Sequence, residues 1–139
     1  MKKGITFIEV IVGIVIISTS VLVLLSMMIV YNKSYEETNK LNSTITELLR
    51  TKEVIDQFLE NNRNLTFTHQ ENKLYIAEEL VLEINDTSLI DYQSNRIISL
   101  ANKKIEMKVL NNNLISFVVE VKDLKQEFMY FLGGYIIDS

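Results

Sequence analysis

The feature that most constrains this chain is an apolar block near its start, residues 5–30, whose one charged residue is Glu9. As an α-helix that rises about 1.5 Å per residue, the block is long enough to span the roughly 30 Å hydrocarbon core of a bilayer. A cleavable secretory signal has a shorter apolar region of about 7–15 residues and a small-residue cleavage site after it, and neither is present here. The block therefore predicts one transmembrane helix.

The charges around this block predict its orientation and mark one residue inside it. Lys2 and Lys3 precede the block, and Glu36 and Glu37 follow it, so we expect the N-terminus inside and the remainder outside. Glu9 lies inside the block, near one end. An acid at the centre of a membrane helix costs about 2.5–3.5 kcal/mol on insertion scales, and an ionisable residue in such a segment is a functional candidate.

Residues 31–62 turn polar without proline and keep a helical period. One apolar stripe repeats at spacings of three, four and seven, and two further residues widen it: Leu41, Ile45, Leu48, Ile55 and Leu59, with Leu49 and Phe58. This pattern predicts an amphipathic continuation of the same helix, from near Thr6 to near Glu60. The polar run of residues 61–64 is expected to end it.

Beyond residue 62 the apolar period changes to two, which is typical of strands. The alternating residues are clearest at 105–109 and 115–121, and polar turns separate the runs, among them the predicted turn of residues 69–72. We expect an antiparallel sheet of about five to seven short strands with one face packed on the helical stripe. The predicted fold class is α+β.

Composition argues against several classes of function. Cysteine is absent, and the formal net charge is −4 with no basic block beyond Lys2 and Lys3. A nucleic-acid footprint is therefore not visible, and neither a disulfide nor a thiolate metal site can form. The one histidine, His69, falls in a predicted surface turn, and no phosphate-binding or nucleophile motif occurs. We expect no catalytic residues, no metal and no cofactor.

Residues 2–10 read Lys-Lys-Gly-Ile-Thr-Phe-Ile-Glu-Val and resemble the type IV prepilin cleavage and methylation signature. The resemblance implies that a prepilin peptidase cuts between Gly4 and Ile5 and that Ile5 becomes an N-methylated terminus. Glu9 is then the fifth residue of the mature chain and its assembly residue. The chain divides accordingly into a prepilin leader at 1–4, a transmembrane segment at 5–30, an amphipathic continuation at 31–62 and a sheet domain at 63–139.

The resemblance also implies a pilin-like fold and a role in assembly. The expected partners are the bilayer, other pilin or pseudopilin subunits and an assembly platform membrane protein, with a cell-surface filament as the product. Three departures favour a minor pilin or pseudopilin: Ile5 stands where major pilins usually have Phe, no proline interrupts the helix, and no cysteine is present. A pilus, a type II secretion-like system and a competence machine remain open.

Cleavage suggests a physical role for Glu9, because it creates a positive amine at Ile5. Glu9 stands four residues beyond that amine in its own helix, and it can also meet the amine of a neighbouring subunit. At 4 Å and an effective dielectric near 20, unit charges attract by about 4 kcal/mol, which offsets desolvation. The alternative is a signal-anchored envelope protein whose exposed sheet binds DNA, a surface or an exported protein.

Overall fold

The computed structural model describes Gly4 and residues 6–138, and it confirms the α+β class. One long helix, α1, precedes the strands, and the contacts divide these residues into two units, one up to Asn42 and one from Ser43. In order, the described elements are α1 (Phe7–Asn61), β1 (Phe67–Gln70), β2 (Lys73–Ile76), β3 (Glu79–Ile84), β4 (Ser88–Asp91), β5 (Arg96–Ser99), β6 (Lys103–Asn111), β7 (Leu114–Val121), β8 (Leu124–Phe131) and β9 (Ile136–Asp138).

Helix α1 begins and ends within one residue of the predicted positions. At its C-terminal end, the side-chain amide of Asn62 donates to the carbonyl oxygen of Phe58 at 2.8 Å, and the N–H of Arg63 donates to that of Glu60 at 3.5 Å, so two of the last carbonyl groups of the helix have partners. The backbone N–H of Leu65 donates to the carbonyl oxygen of Asn62 at 3.0 Å, within the turn that follows. The N–H of Gly133, far along the chain, donates to the carbonyl oxygen of Arg63 at 2.8 Å, so the C-terminal segment is tied to the end of the helix.

The strands form two sheets where one was predicted. The larger has the order β5-β4-β3-β2-β1-β9, and the smaller is β6-β7-β8. Every neighbouring pair is antiparallel except β1 and β9, which pair in parallel with Phe67 opposite Ile136. The parallel strand escaped prediction because a three-residue strand is too short to show a period of two.

The hairpins predicted from alternation are confirmed. In the smaller sheet Phe117 of β7 lies opposite Met107 of β6 and Phe128 of β8. Residues 90–100 contribute to two short strands, β4 and β5, with the buried Asp91 at the turn between them. Its carboxylate accepts the N–H groups of Gln93 and Ser94, which stabilises that turn.

Two glycines let the C-terminal segment reach β1. A Cβ on Gly134 would lie 2.0 Å from the carbonyl oxygen of Leu65, and one on Gly133 would lie 2.5 Å from Oδ1 of Asn64. The Asn64 oxygen is the end of a side chain and can move aside, whereas the Leu65 carbonyl is backbone and cannot. Glycine is therefore required at position 134, where this segment crosses the chain that leaves the helix, shortly before β9.

Candidate assembly site

The first part of helix α1 is an exposed apolar surface. By length and composition it could cross a membrane, and the apolar window that meets this test has no residue buried within the protein. The prediction of one helix long and apolar enough for a single-pass membrane segment is therefore confirmed. A signal sequence also meets this test of length and composition. In hydrocarbon every backbone polar group must be satisfied internally, and an α-helix does this.

Hydroxyl side chains within the apolar block find their partners inside the helix. The hydroxyl of Ser18 donates to the carbonyl oxygen of Ile14 at 2.7 Å, and that of Ser20 donates to the carbonyl oxygen of Ile16 at 2.8 Å. Thr19 and Ser26 make bonds of the same kind, to residues three or four positions earlier. Such bonds satisfy the hydroxyl groups within the helix and make these residues compatible with a lipid environment.

Glu9 lies in the first turn of α1 and caps it together with Thr6. Oε2 of Glu9 accepts the backbone N–H of Thr6 at 2.8 Å and the hydroxyl of Thr6 at 3.1 Å. In return, the N–H of Glu9 donates to the Thr6 hydroxyl oxygen at 3.4 Å. This reciprocal arrangement is a capping box, which satisfies two orphan donors of the helix.

Thr6 is a capping residue of the candidate site that the sequence interpretation missed, although its signal was present. A Thr followed three positions later by Glu, before an apolar run, is the sequence signature of a capping box. The predicted site residue Gly4 is exposed, with open space where a side chain would stand. Ile5, the predicted methylated terminus, lies outside the described residues, so the proposed pairing of its amine with Glu9 remains a prediction.

In the unit that begins at Ser43, helix α1 packs one face against the sheets. This buried line consists of Thr44, Leu48, Thr51, Ile55, Phe58 and Leu59. The predicted burial of Leu48, Ile55, Phe58 and Leu59 is confirmed. Phe58 contacts Phe67 of β1, with ring centroids 6.1 Å apart, and this contact joins the helix to the larger sheet.

Three other members of the predicted stripe are not covered, and for them the prediction is wrong. This open line is Leu41, Ile45 and Leu49, which are 54%, 37% and 54% exposed. The sheets pack on the adjacent face, where Thr44 and Thr51 take the places expected of leucines. Thr51 is 0% exposed, and its hydroxyl is satisfied by the carbonyl oxygen of Glu47 at 3.0 Å.

A polar cluster fastens the smaller sheet to the helix. Asp56 pairs with Lys52 one turn earlier and accepts the phenolic hydroxyl of Tyr130 at 2.6 Å. The Lys52 ammonium also stands 5.5 Å from the ring centroid of Phe128, a cation–π contact. Desolvation raises the pKa of Tyr130, and the bond to Asp56 raises it further, because both favour the neutral phenol.

His69 does not lie in a turn, as the sequence suggested, but in strand β1. Its side chain is 12% exposed, and Nδ1 lies 2.6 Å from Oδ1 of Asp138 in β9. This contact links the two parallel strands β1 and β9 of the larger sheet. Within residues 6–138 and Gly4, no group of three or more His, Cys, Asp or Glu side chains is placed to hold a metal ion.

Comparisons with protein-family models, with curated proteins and with solved structures find no match to this chain. The architecture of one long apolar N-terminal helix and a β-sheet unit is compatible with a pilin-like fold. Its functional assignment therefore depends on the site residues themselves.

Proposed function

We propose that this chain is a minor pilin or pseudopilin subunit of a type IV pilus-like filament, with a structural and non-catalytic role. The observation that carries the proposal is the start of α1. An exposed apolar helix begins at Phe7, three residues after Gly4 and shortly after Lys2 and Lys3, and it carries one acid in its first turn. Few other functions need that combination of a basic pair, a glycine and an apolar helix with one acid.

In this proposal a prepilin peptidase cleaves between Gly4 and Ile5, and the new amine of Ile5 is methylated. The N-terminus lies inside and the sheet unit outside, as expected from the flanking charges. An assembly platform then helps the apolar segment to leave the bilayer and dock beside other subunits. The filament belongs to a pilus, a type II secretion-like system or a competence machine.

Glu9 would have two successive roles. In the single subunit its carboxylate caps its own helix through Thr6, which offsets part of the cost of an acid near the membrane. Both of those hydrogen bonds use Oε2, so Oε1 can accept the positive amine of a neighbouring chain during docking. An attraction of this kind sets register because it acts at one position along an otherwise uncharged surface.

A second candidate is a plain signal-anchored envelope protein, whose exposed sheets would bind DNA, a surface or an exported protein. The Thr6–Glu9 capping box is the observation that favours it, because the box gives Glu9 a use within its own helix. Under this alternative Glu9 needs no partner chain.

Replacing Glu9 by Gln separates the two candidates. Glutamine preserves the capping box but removes the charge. For a filament subunit we expect the Glu9→Gln protein to be cleaved and to accumulate in the membrane, yet to be depleted from sheared filaments and from crosslinked assembly complexes. Ser20→Ala, a polar change in the same segment that keeps the charge, is the matched control. Normal incorporation of Glu9→Gln beside wild-type partners would contradict the charge-pair mechanism.

A further inference from the structure

Strand β8 is an open edge of the smaller sheet. It has eight residues and pairs with β7 on one side, and no described strand pairs with it on the other. The edge strands of the larger sheet, β5 and β9, have four and three residues, and such short edges give an added chain little to pair with. The remaining edge strand, β6, lies beside β3 and β9. Among the described strands, β8 is therefore the long edge that is open to a further strand.

The register of β7 and β8 shows which backbone groups face the open side. The N–H of Leu132, directly after β8, donates to the carbonyl oxygen of Asn113, directly before β7, at 2.9 Å. In an antiparallel pair, residues that bond the opposite strand alternate with residues whose backbone groups point away from it. The odd-numbered residues of β8 therefore direct their N–H and C=O groups to the open side. They are Lys125, Glu127, Met129 and Phe131.

The end of β8 near Phe131 is both apolar and unpaired. Met129 and Phe131 are 62% and 69% exposed, and their backbone groups make no hydrogen bond to any other described residue. Natural proteins protect edge strands with lysine, proline or a bulge. None of these occurs between Phe128 and Phe131. Exposed apolar side chains beside free backbone groups favour the addition of an extended strand.

A groove beside this end of β8 has room for side chains of an added strand. It has a volume of about 310 Å³, and its lining includes Leu59 and Glu60 of α1 together with Leu132. In a strand, alternate side chains point to opposite faces of the sheet. Half of the side chains of an added strand would therefore point toward the groove and the helix, and the other half would lie beside Met129 and Phe131.

The charges of β8 specify what an added strand should carry. Lys125 and Glu127 are exposed and two residues apart, so they lie on the same face as Met129 and Phe131. Opposite charges directly across a strand pair stabilise it, and like charges destabilise it. The antiparallel strand that fits best places apolar residues opposite Phe131 and Met129, then a cation opposite Glu127 and an anion opposite Lys125.

A second copy of β8 does not have this pattern. In one antiparallel register Lys125 lies opposite Glu127 of the second copy. The same register places Met129 opposite Asp123, which lies in the turn before β8. In the register that places Met129 opposite Phe131, Glu127 lies opposite Gly133 and has no partner charge. Self-pairing therefore satisfies either the charges or the apolar end, but not both.

We infer that the open edge of β8 binds an extended segment of a different protein, which adds to the smaller sheet as an antiparallel strand. The partner is a peptide with alternating apolar residues followed by a cation and an anion. This site goes beyond the proposed function, because it needs no contribution from the apolar segment of α1.

Synthetic peptides can test the charge order against the full chain in detergent, with binding followed by fluorescence anisotropy. The peptide Val-Thr-Val-Thr-Lys-Thr-Glu-Thr places its Lys opposite Glu127 and its Glu opposite Lys125. The matched control exchanges Lys and Glu and keeps the same composition. We expect the control to bind several-fold more weakly, because it brings like charges together at both positions.

A second pair of peptides tests the backbone hydrogen bonds. Each carries one N-methyl group, either on the second Val, whose N–H would bond the carbonyl oxygen of Met129, or on the Thr after it, whose N–H would point away from β8. We expect a several-fold loss of binding from the first methyl group and little loss from the second. Amide hydrogen exchange at Met129 and Phe131 should become several-fold slower when the unmethylated peptide is bound.

A pair of variants of the protein locates the site. Phe131→Lys should weaken binding of the first peptide several-fold without changing thermal unfolding, because the side chain is exposed. Ile97→Lys changes a side chain on β5 that is also 69% exposed, and it should bind the peptide normally. Absence of binding, equal binding of the two charge orders or equal effects of the two methyl groups would overturn the inference. Self-association of the full chain that Phe131→Lys abolishes would also overturn it, because the strand added to β8 would then be a second copy.

Discussion

The phenolic hydroxyl of Tyr130 donates to Oδ1 of Asp56 at 2.6 Å and links the edge strand β8 to helix α1. A hydrogen bond to a charged acceptor contributes about 1.5–3 kcal/mol, and partial exposure places this one toward the lower end. We expect Tyr130→Phe to lower the free energy of unfolding of the full chain in detergent by about 1–2 kcal/mol. Tyr92→Phe, which loses a bond to Glu83 on an exposed surface, is the control and should have a smaller effect. Equal losses in the two variants would contradict this ranking.

The hydrogen bond between Tyr130 and Asp56 also predicts that the stability of the fold decreases at alkaline pH. The pKa of Tyr130 is raised in the folded state, whereas an unfolded tyrosine titrates at about 10. Above that pH the unfolded chain loses a proton that the folded chain retains, so the contribution to stability is complete below pH about 10 and declines as pH rises. Chemical denaturation at a series of pH values above about 10 should show that the free energy of unfolding falls more steeply for the wild type than for Tyr130→Phe. Parallel profiles would contradict the assignment.

Gly134 lies where the C-terminal segment crosses the chain that leaves the helix, and this predicts a strong effect of one added methyl group. In Gly134→Ala the new Cβ would meet the carbonyl oxygen of Leu65 at 2.0 Å, so the C-terminal segment must move and β9 must separate from β1. We expect a loss of about 3 kcal/mol or more, measured by thermal unfolding of the full chain in detergent. Gly13→Ala is the matched control, because open space surrounds that position, and it should leave the sheet unit unaffected. A stable Gly134→Ala protein would exclude this close approach.

The capping box predicts a local effect at the helix start. Thr6→Val keeps the side-chain shape but removes the hydroxyl, so the N–H of Glu9 loses its acceptor and Oε2 loses one donor. We expect the first turn of α1 to be destabilised by about 0.5–2 kcal/mol, which amide hydrogen exchange in micelles can detect. Exchange beyond Gly13 should stay unchanged. Unaltered protection of the first turn would show that Thr6 does not cap the helix.

Processing is the most direct test of the proposed family. Mass spectrometry of the protein from cells with an active prepilin peptidase should find Ile5 as a methylated N-terminus. Within the protein, open space surrounds Gly4, so the fold itself would accept a bulky residue there. Such a residue should nevertheless block cleavage, because a peptidase that reads this signal needs a small residue at that position. An intact Met1 terminus under these conditions would contradict the whole proposal.

Elements with local signals could be predicted from the amino-acid pattern alone. The apolar block of residues 5–30, with Glu9 as its one charged residue, predicted a membrane-length helix because hydrocarbon accepts few other backbone conformations. The alternation from Ile105 to Val121 predicted two strands and their turn because one face of each must be buried. The motif around Gly4 and Glu9 located the candidate site, and Thr6 could have been added from the spacing of the capping box.

Which face of the helix the sheets cover could not be predicted from the sequence and depends on packing between distant segments. The stripe of residues 41–59 is wide enough for two adjacent faces, and apolar periodicity cannot distinguish them. The sheets cover the face that includes Thr44 and Thr51. Burial of Thr51 is tolerated because its hydroxyl donates to the carbonyl oxygen of Glu47 in the same helix. Leu41, Ile45 and Leu49 were thereby left exposed. The parallel pairing of β9 with β1 also depends on contacts distant in sequence, through Gly134 and Leu65, and no local pattern contains them.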